Sequence, residues 1–222
     1  MSKFYCVVGL CAKLAKVLLV LVSALLVSEL LVGCAQFDRT QIRAGDRIFG
    51  PAVSVTVPAV PRDLMSDSDR HAWFASDYGS GNRMKLVLLN SDDLFSVEVA
   101  INRGPQRGMY RSVSEHLVVV ESRRRPISIP DRVEVVAYDV SADPSYGALC
   151  VRYRSKLKDW RGRNRAGPAL VEDVGLVCEH PKLSNVLVEL RVTHRYETFS
   201  SEIELAPLAD QVFSSAEYYD TL

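Results

Sequence analysis

A chain of 222 residues, 48% hydrophobic and 24% charged, has the composition of an ordinary globular protein and the length of one domain with at most short appendages. Its 27 basic residues balance 27 acidic ones, so no overall charge draws it to nucleic acid.

Residues 1–33 have the three-part form of an export signal. Lys3, Lys13 and Lys16 make a basic front, an apolar run follows from Val17 to Val27, and the small residue Gly33 stands before Cys34. The stretch Leu31-Val32-Gly33-Cys34 resembles the lipobox of bacterial lipoproteins. That resemblance covers the leader alone. It implies that residues 1–33 are removed, that Cys34 becomes a diacylated N-terminus carrying palmitate-type chains, and that Ala35 after it directs the protein to the outer membrane. Two features depart from the usual leader: the front is itself apolar around Phe4 to Leu10, and Glu29 lies inside the apolar region. A single-pass anchor is the rival reading. Val17 to Val32 falls short of the roughly 20 residues that span hydrocarbon, and the acid lies within it.

Export also sorts the cysteines. Cys6 and Cys11 leave with the leader and Cys34 takes lipid, so Cys150 and Cys178 remain and are expected to bond in an oxidising compartment. Their bridge closes a loop of about 29 residues, which in the chain-entropy picture contributes roughly 3 to 4 kcal/mol. Two buried thiols or a metal pair are the alternatives.

In chain order, residues 34–50 are polar and read as a flexible tether. Residues 52–57 alternate at period two between Pro51 and Pro58, which suits an edge strand. Residues 63–78 read as a helix capped by Ser66 or Asp67, with Leu64, Ala72, Trp73 and Tyr78 on one side and Gly79 as the stop. Residues 84–89 and 95–101 form a hairpin across Ser91-Asp92-Asp93. The run Leu117-Val118-Val119-Val120 predicts a strand over 115–121, broken by Arg123-Arg124-Arg125-Pro126. Strands over 133–138, 148–154, 174–178 and 185–196 complete the set, with a basic loop over 156–167. Short strands at such spacing predict a mainly β fold: an antiparallel sandwich or barrel-like domain over 51–205 with one or two short helices. The tail 206–222 places Leu208, Val212 and Phe213 at helical spacing.

Chemistry is sparse. His71, His116, His180 and His194 have no metal-ligand spacing, so neither a metal nor a cofactor is expected. Ser114-Glu115-His116 cannot form a triad from neighbours on one strand, which point to opposite faces. His180 before Pro181 reads as a turn residue. Phosphate-binding glycine loops and nucleophile elbows are absent from the sequence.

The least ordinary feature is basic. Arg152, Arg154, Lys156, Lys158, Arg161, Arg163 and Arg165 surround Trp160 and are opposed only by Asp159, and Arg103, Arg107, Arg111 and Arg123 to Arg125 come from two further loops. If these loops meet, they make a basic rim suited to an anionic partner. The sequence therefore reads as a lipid-anchored envelope protein, not an enzyme, that acts as an interaction or scaffolding part of an envelope assembly. A periplasmic module for an anionic ligand, lipopolysaccharide or glycan, is the alternative, and a hydrolase with an unidentified nucleophile comes third.

Overall fold

The computed structural model of the protein describes residues 41–50, 52–60, 73–77, 82–89, 94–103, 110, 112–160, 167–197 and 204–220. The leader, Cys34, Arg161, Arg163 and Arg165 lie outside the described residues, as do Arg107 and Arg111.

Eight strands pair into one antiparallel sheet. In spatial order they are β1 (Gln41–Ile42), β4 (Trp73–Asp77), β5 (Arg83–Leu89), β6 (Leu94–Arg103), β10 (Val186–Glu197), β9 (Ala169–Glu179), β8 (Val151–Asp159) and β7 (Val133–Ala142). A second sheet has β3 (Val53–Thr56) between β2 (Arg47–Phe49) and β11 (Glu217–Tyr218). With α1 (Val113–Arg124) and α2 (Leu205–Ser214), the fold is mainly β with two helices, and the large sheet is open, not a closed barrel.

The central strands are buried on both faces. On the first face, α2 and the small sheet pack over β5, β6, β10 and β9. Leu205, Leu208, Ala209, Val212 and Phe213 recur at the spacing of one helical stripe, and all five are buried. Burial of each large side chain contributes about 1.5–3 kcal/mol before entropy is counted. Pro207 is tolerated in α2 because it stands in the first turn, where backbone N–H groups have no helical acceptor.

On the second face, α1 lies over the other half of the sheet, with Val120 among Val151, Tyr153 and Val177, and Val119 against Tyr110 and Leu187. Tyr153 lies across Gly175, its register partner on β9. A Cβ on Gly175 would stand 2.2 Å from Tyr153 Cζ, so the missing side chain is what lets the ring cross. Its hydroxyl then donates to Glu189 Oε1 at 2.7 Å, and Glu189 also takes an ion pair from Arg124 at the end of α1.

Four expectations are corrected. Residues 113–124 form a helix and not a strand: the Ser112 hydroxyl accepts from Glu115 N–H at 3.3 Å and caps it, and Val113, His116, Leu117 and Val120 make its inward side. Trp73–Asp77, expected within a helix, is a strand because it pairs with β5; the rest of that expected helix lies outside the described residues. The 52–57 strand is central in its sheet and not an edge, since its paired residues all fall between the two prolines. The stretch read as a tether over 34–50 contains β1 and β2, which pair with β4 and β3.

Candidate functional site

β8 carries the basic residues. Alternation sends Val151, Tyr153, Ser155, Leu157 and Asp159 to the face under α1, and Arg152, Arg154, Lys156 and Lys158 to the face of α2. The strand runs to Asp159, so Lys156 and Lys158 stand on rigid sheet and not in a loop, as a correction to the sequence reading. Leu157 and Lys158 continue the pairing because β9 begins at Ala169, opposite Asp159.

Three of the four cations meet acids. Arg152 Nε bonds Asp143 Oδ2 at 2.8 Å and its Nη2 bonds Asp210 Oδ1 at 2.5 Å, with the guanidinium over the Tyr146 and Phe213 rings; its side chain is only 12% exposed. That arginine fastens α2 to the sheet. Lys156 Nζ lies 2.7 Å from Glu172 Oε1, which also accepts from Tyr196 Oη at 2.8 Å, and Lys158 Nζ lies 3.1 Å from Glu134. Burial, and then the bond to Glu172, push the Tyr196 phenol up to about 12. Arg154 stands beside Asp139, its register partner on β7, and makes no ion pair among the described residues.

Lys156, Glu172, His194 and Phe95 lie abreast on β8, β9, β10 and β6. The His194 ring is stacked between Phe95 and Tyr196, with centroids 4.1 and 4.4 Å away. Along this row the sheet grades from apolar under the small sheet to charged at β8. A cleft of about 540 Å³ opens at the charged end, between Arg154, Lys156, Glu172 and Val174 on one side and Leu205 and Ala206 on the other.

The expected single basic rim is divided. Arg124 ends α1 and Arg125 caps it, paired with Glu189 and Glu121, whereas the β8 cations face α2. Trp160 follows β8, donates its backbone N–H to Arg132 O at 2.8 Å and is 51% exposed. Beside it Ile129 is 46% exposed, and Ile127 just before is 79% exposed. Trp160 stands out in the sequence among its cations, but nothing there marks Ile127 or Ile129 as exposed.

The three described histidines serve packing. His180 Nδ1 accepts from the Lys182 and Leu183 N–H groups, and its Nε2 donates to Ala52 O at 3.1 Å, so the ring holds the turn from β9 to β10 against the small sheet. His116, on the inward side of α1, is buried, donates from Nδ1 to Leu149 O at 2.7 Å and stacks on Tyr110. Ser114 and Glu115 point outward, so the three do not converge. Cys150 and Cys178, expected to pair, are joined across β8 and β9 with Cα atoms 4.2 Å apart, the position their register continues from Val151 opposite Val177.

No family model matches the chain, and no curated protein matches it. Among solved structures, it is similar to the solution structure of cyanobacterial PsbP (CyanoP) from Synechocystis sp. PCC 6803, at 15% identity and a TM-score of 0.42, over 84% of this chain and 98% of that one.

Proposed function

We propose that the protein is a lipid-anchored component of a bacterial cell envelope, held by Cys34 in the outer membrane, whose β domain acts as a non-enzymatic interaction or scaffolding part of an envelope assembly. The observation that carries this reading is the stretch Leu31-Val32-Gly33-Cys34 behind an apolar run. The Cys150–Cys178 bond supports export, because such bonds persist in oxidising compartments. The exposed Trp160 and Ile129, which line one hollow, support a protein partner, since aromatic and aliphatic side chains grouped at a surface are what interfaces bury.

The test has two parts. Metabolic labelling with a palmitate analogue should mark the wild-type chain and not Cys34→Ser, and the variant should leave the membrane fraction. Affinity capture from detergent-solubilised envelopes should recover a stoichiometric partner that Trp160→Ala loses. Capture of nothing at stoichiometric yield would refute the scaffolding role while leaving the anchor standing.

A second reading, recognition of an anionic lipopolysaccharide or glycan, draws support from Arg154, which lines the cleft without an ion pair among the described residues. Binding to lipopolysaccharide that falls with salt and disappears in Arg154→Glu would favour it. Binding indifferent to that change would exclude the cleft.

A further inference from the structure

The large sheet has two very different edges. One is β1, only two residues long, and so presents almost no open ladder. The other is β7, ten residues long, with no described strand on its outer side. Sheet edges are normally blunted by shortness, by lysine or proline, or by a bulge. β7 has neither lysine nor proline. Its one irregularity falls between Val135 and Ala137, which leaves Ala137 to Ala142 regular.

We propose that β7 is the contact surface for a second copy of this chain, joined edge to edge and antiparallel about a twofold axis at Val140. The phase of the ladder fixes this register. The N–H of Asp143 donates to Cys150 O at 2.9 Å, so by alternation the backbone groups of Asp139 and Ser141 also turn toward β8. Those of Tyr138, Val140 and Ala142 turn outward. A twofold axis at Val140 pairs Val140 with Val140 and Tyr138 with Ala142, so every outward group of the regular segment meets its complement.

The side chains fit the same register. On one face Tyr138 stands against Ala142 of the second copy, large against small. On the other, Asp139 stands against Ser141, with Arg154 of its own β8 beside it. No like charges fall directly opposite. An axis one residue earlier, at Asp139, would oppose two aspartates, and one at Tyr138 would run into the bulge. Self-pairing at Val140 is therefore both hydrogen-bonded and electrostatically permitted. The proposal rests neither on the lipid anchor nor on Trp160.

Sedimentation equilibrium of the full chain in mild detergent tests it, with charge changes at an exposed position as the lever. The wild type should sediment as a reversible dimer. Ser141→Asp puts a carboxylate opposite Asp139 twice per dimer and should weaken association about tenfold, whereas Ser141→Lys should strengthen it by a similar factor. A cysteine on the axis gives a second, independent readout: Val140→Cys should yield an oxidised band of twice the monomer mass, and Val118→Cys, exposed on α1, should not. A monomer at all concentrations, or equal dimerisation of the Asp and Lys variants, would overturn the proposal, as would absence of the Val140→Cys band should Ser141→Asp fail to fold.

Discussion

His116 shows how burial fixes a protonation state. Its Nδ1–H is committed to Leu149 O, its ring is stacked on Tyr110, and its Nε2 has no hydrogen-bond partner among the described residues. Burial first lowers its pKa, opposed by the bond to Leu149 and by Glu179, with Arg123 adding to the depression. The unfolded chain, with an ordinary histidine near 6.5, takes up the proton at higher pH than the folded one does. Stability should therefore be full above about pH 6.5 and fall as pH drops below it, by at most about 1.4 kcal/mol per pH unit from this group. Urea titrations at pH 8, 6 and 5 measure the slope, and His116→Gln should flatten it; an unchanged slope would assign the loss to another group. Tyr153 and Gly175 offer a second check. Gly175→Ala drives a methyl into the ring and should cost about 1–3 kcal/mol. Most of that cost should vanish in a Tyr153→Ala background, because the clash is then absent.

At the scale of elements, α1 explains both a misreading and what could have prevented it. Three consecutive valines pull residues 117–121 toward strand, but propensity is a weak prior against a good cap. Ser112-Val113-Ser114-Glu115 has the spacing of a capping box, and Arg123 and Arg124 suit a helix C-terminus, so the signal was present in the sequence. Ser112→Ala should cost about 1 kcal/mol in urea unfolding, an effect a strand at this position would not give. β6 and β10 were legible because their alternation is undisturbed, and β5 because it pairs with the next strand in the chain, whereas the pairing of β10 with β6 joins residues far apart and was not. Where β8 stops was not: Lys156 and Lys158 look like loop residues until Glu172 and Glu134 on neighbouring strands supply their counter-charges. The disulfide was legible from cysteine arithmetic, and its placement now follows from register. Replacing Cys150 and Cys178 by serine should lower stability by about 2–4 kcal/mol under oxidising conditions, read from the urea midpoint.

For the whole molecule, a mainly β fold was legible from many short apolar runs, whereas the packing of its layers was not. The sequence cannot say that α1 covers one face and α2 with the small sheet the other, because that choice depends on contacts such as Arg124 with Glu189 and Arg152 with Asp210 that join residues far apart in the chain. The same long-range pairing divides the cations expected to form one rim. The exposed Trp160 should be dispensable for folding: Trp160→Ala should change stability by about 0.5 kcal/mol or less while abolishing partner capture. The central claim, a lipid-anchored envelope protein, turns on one bond. Intact-mass spectrometry of the N-terminal peptide from the native membrane should find Cys34 as the first residue, carrying a diacylglyceryl group. An unmodified Cys34 still bonded to Gly33 would contradict it.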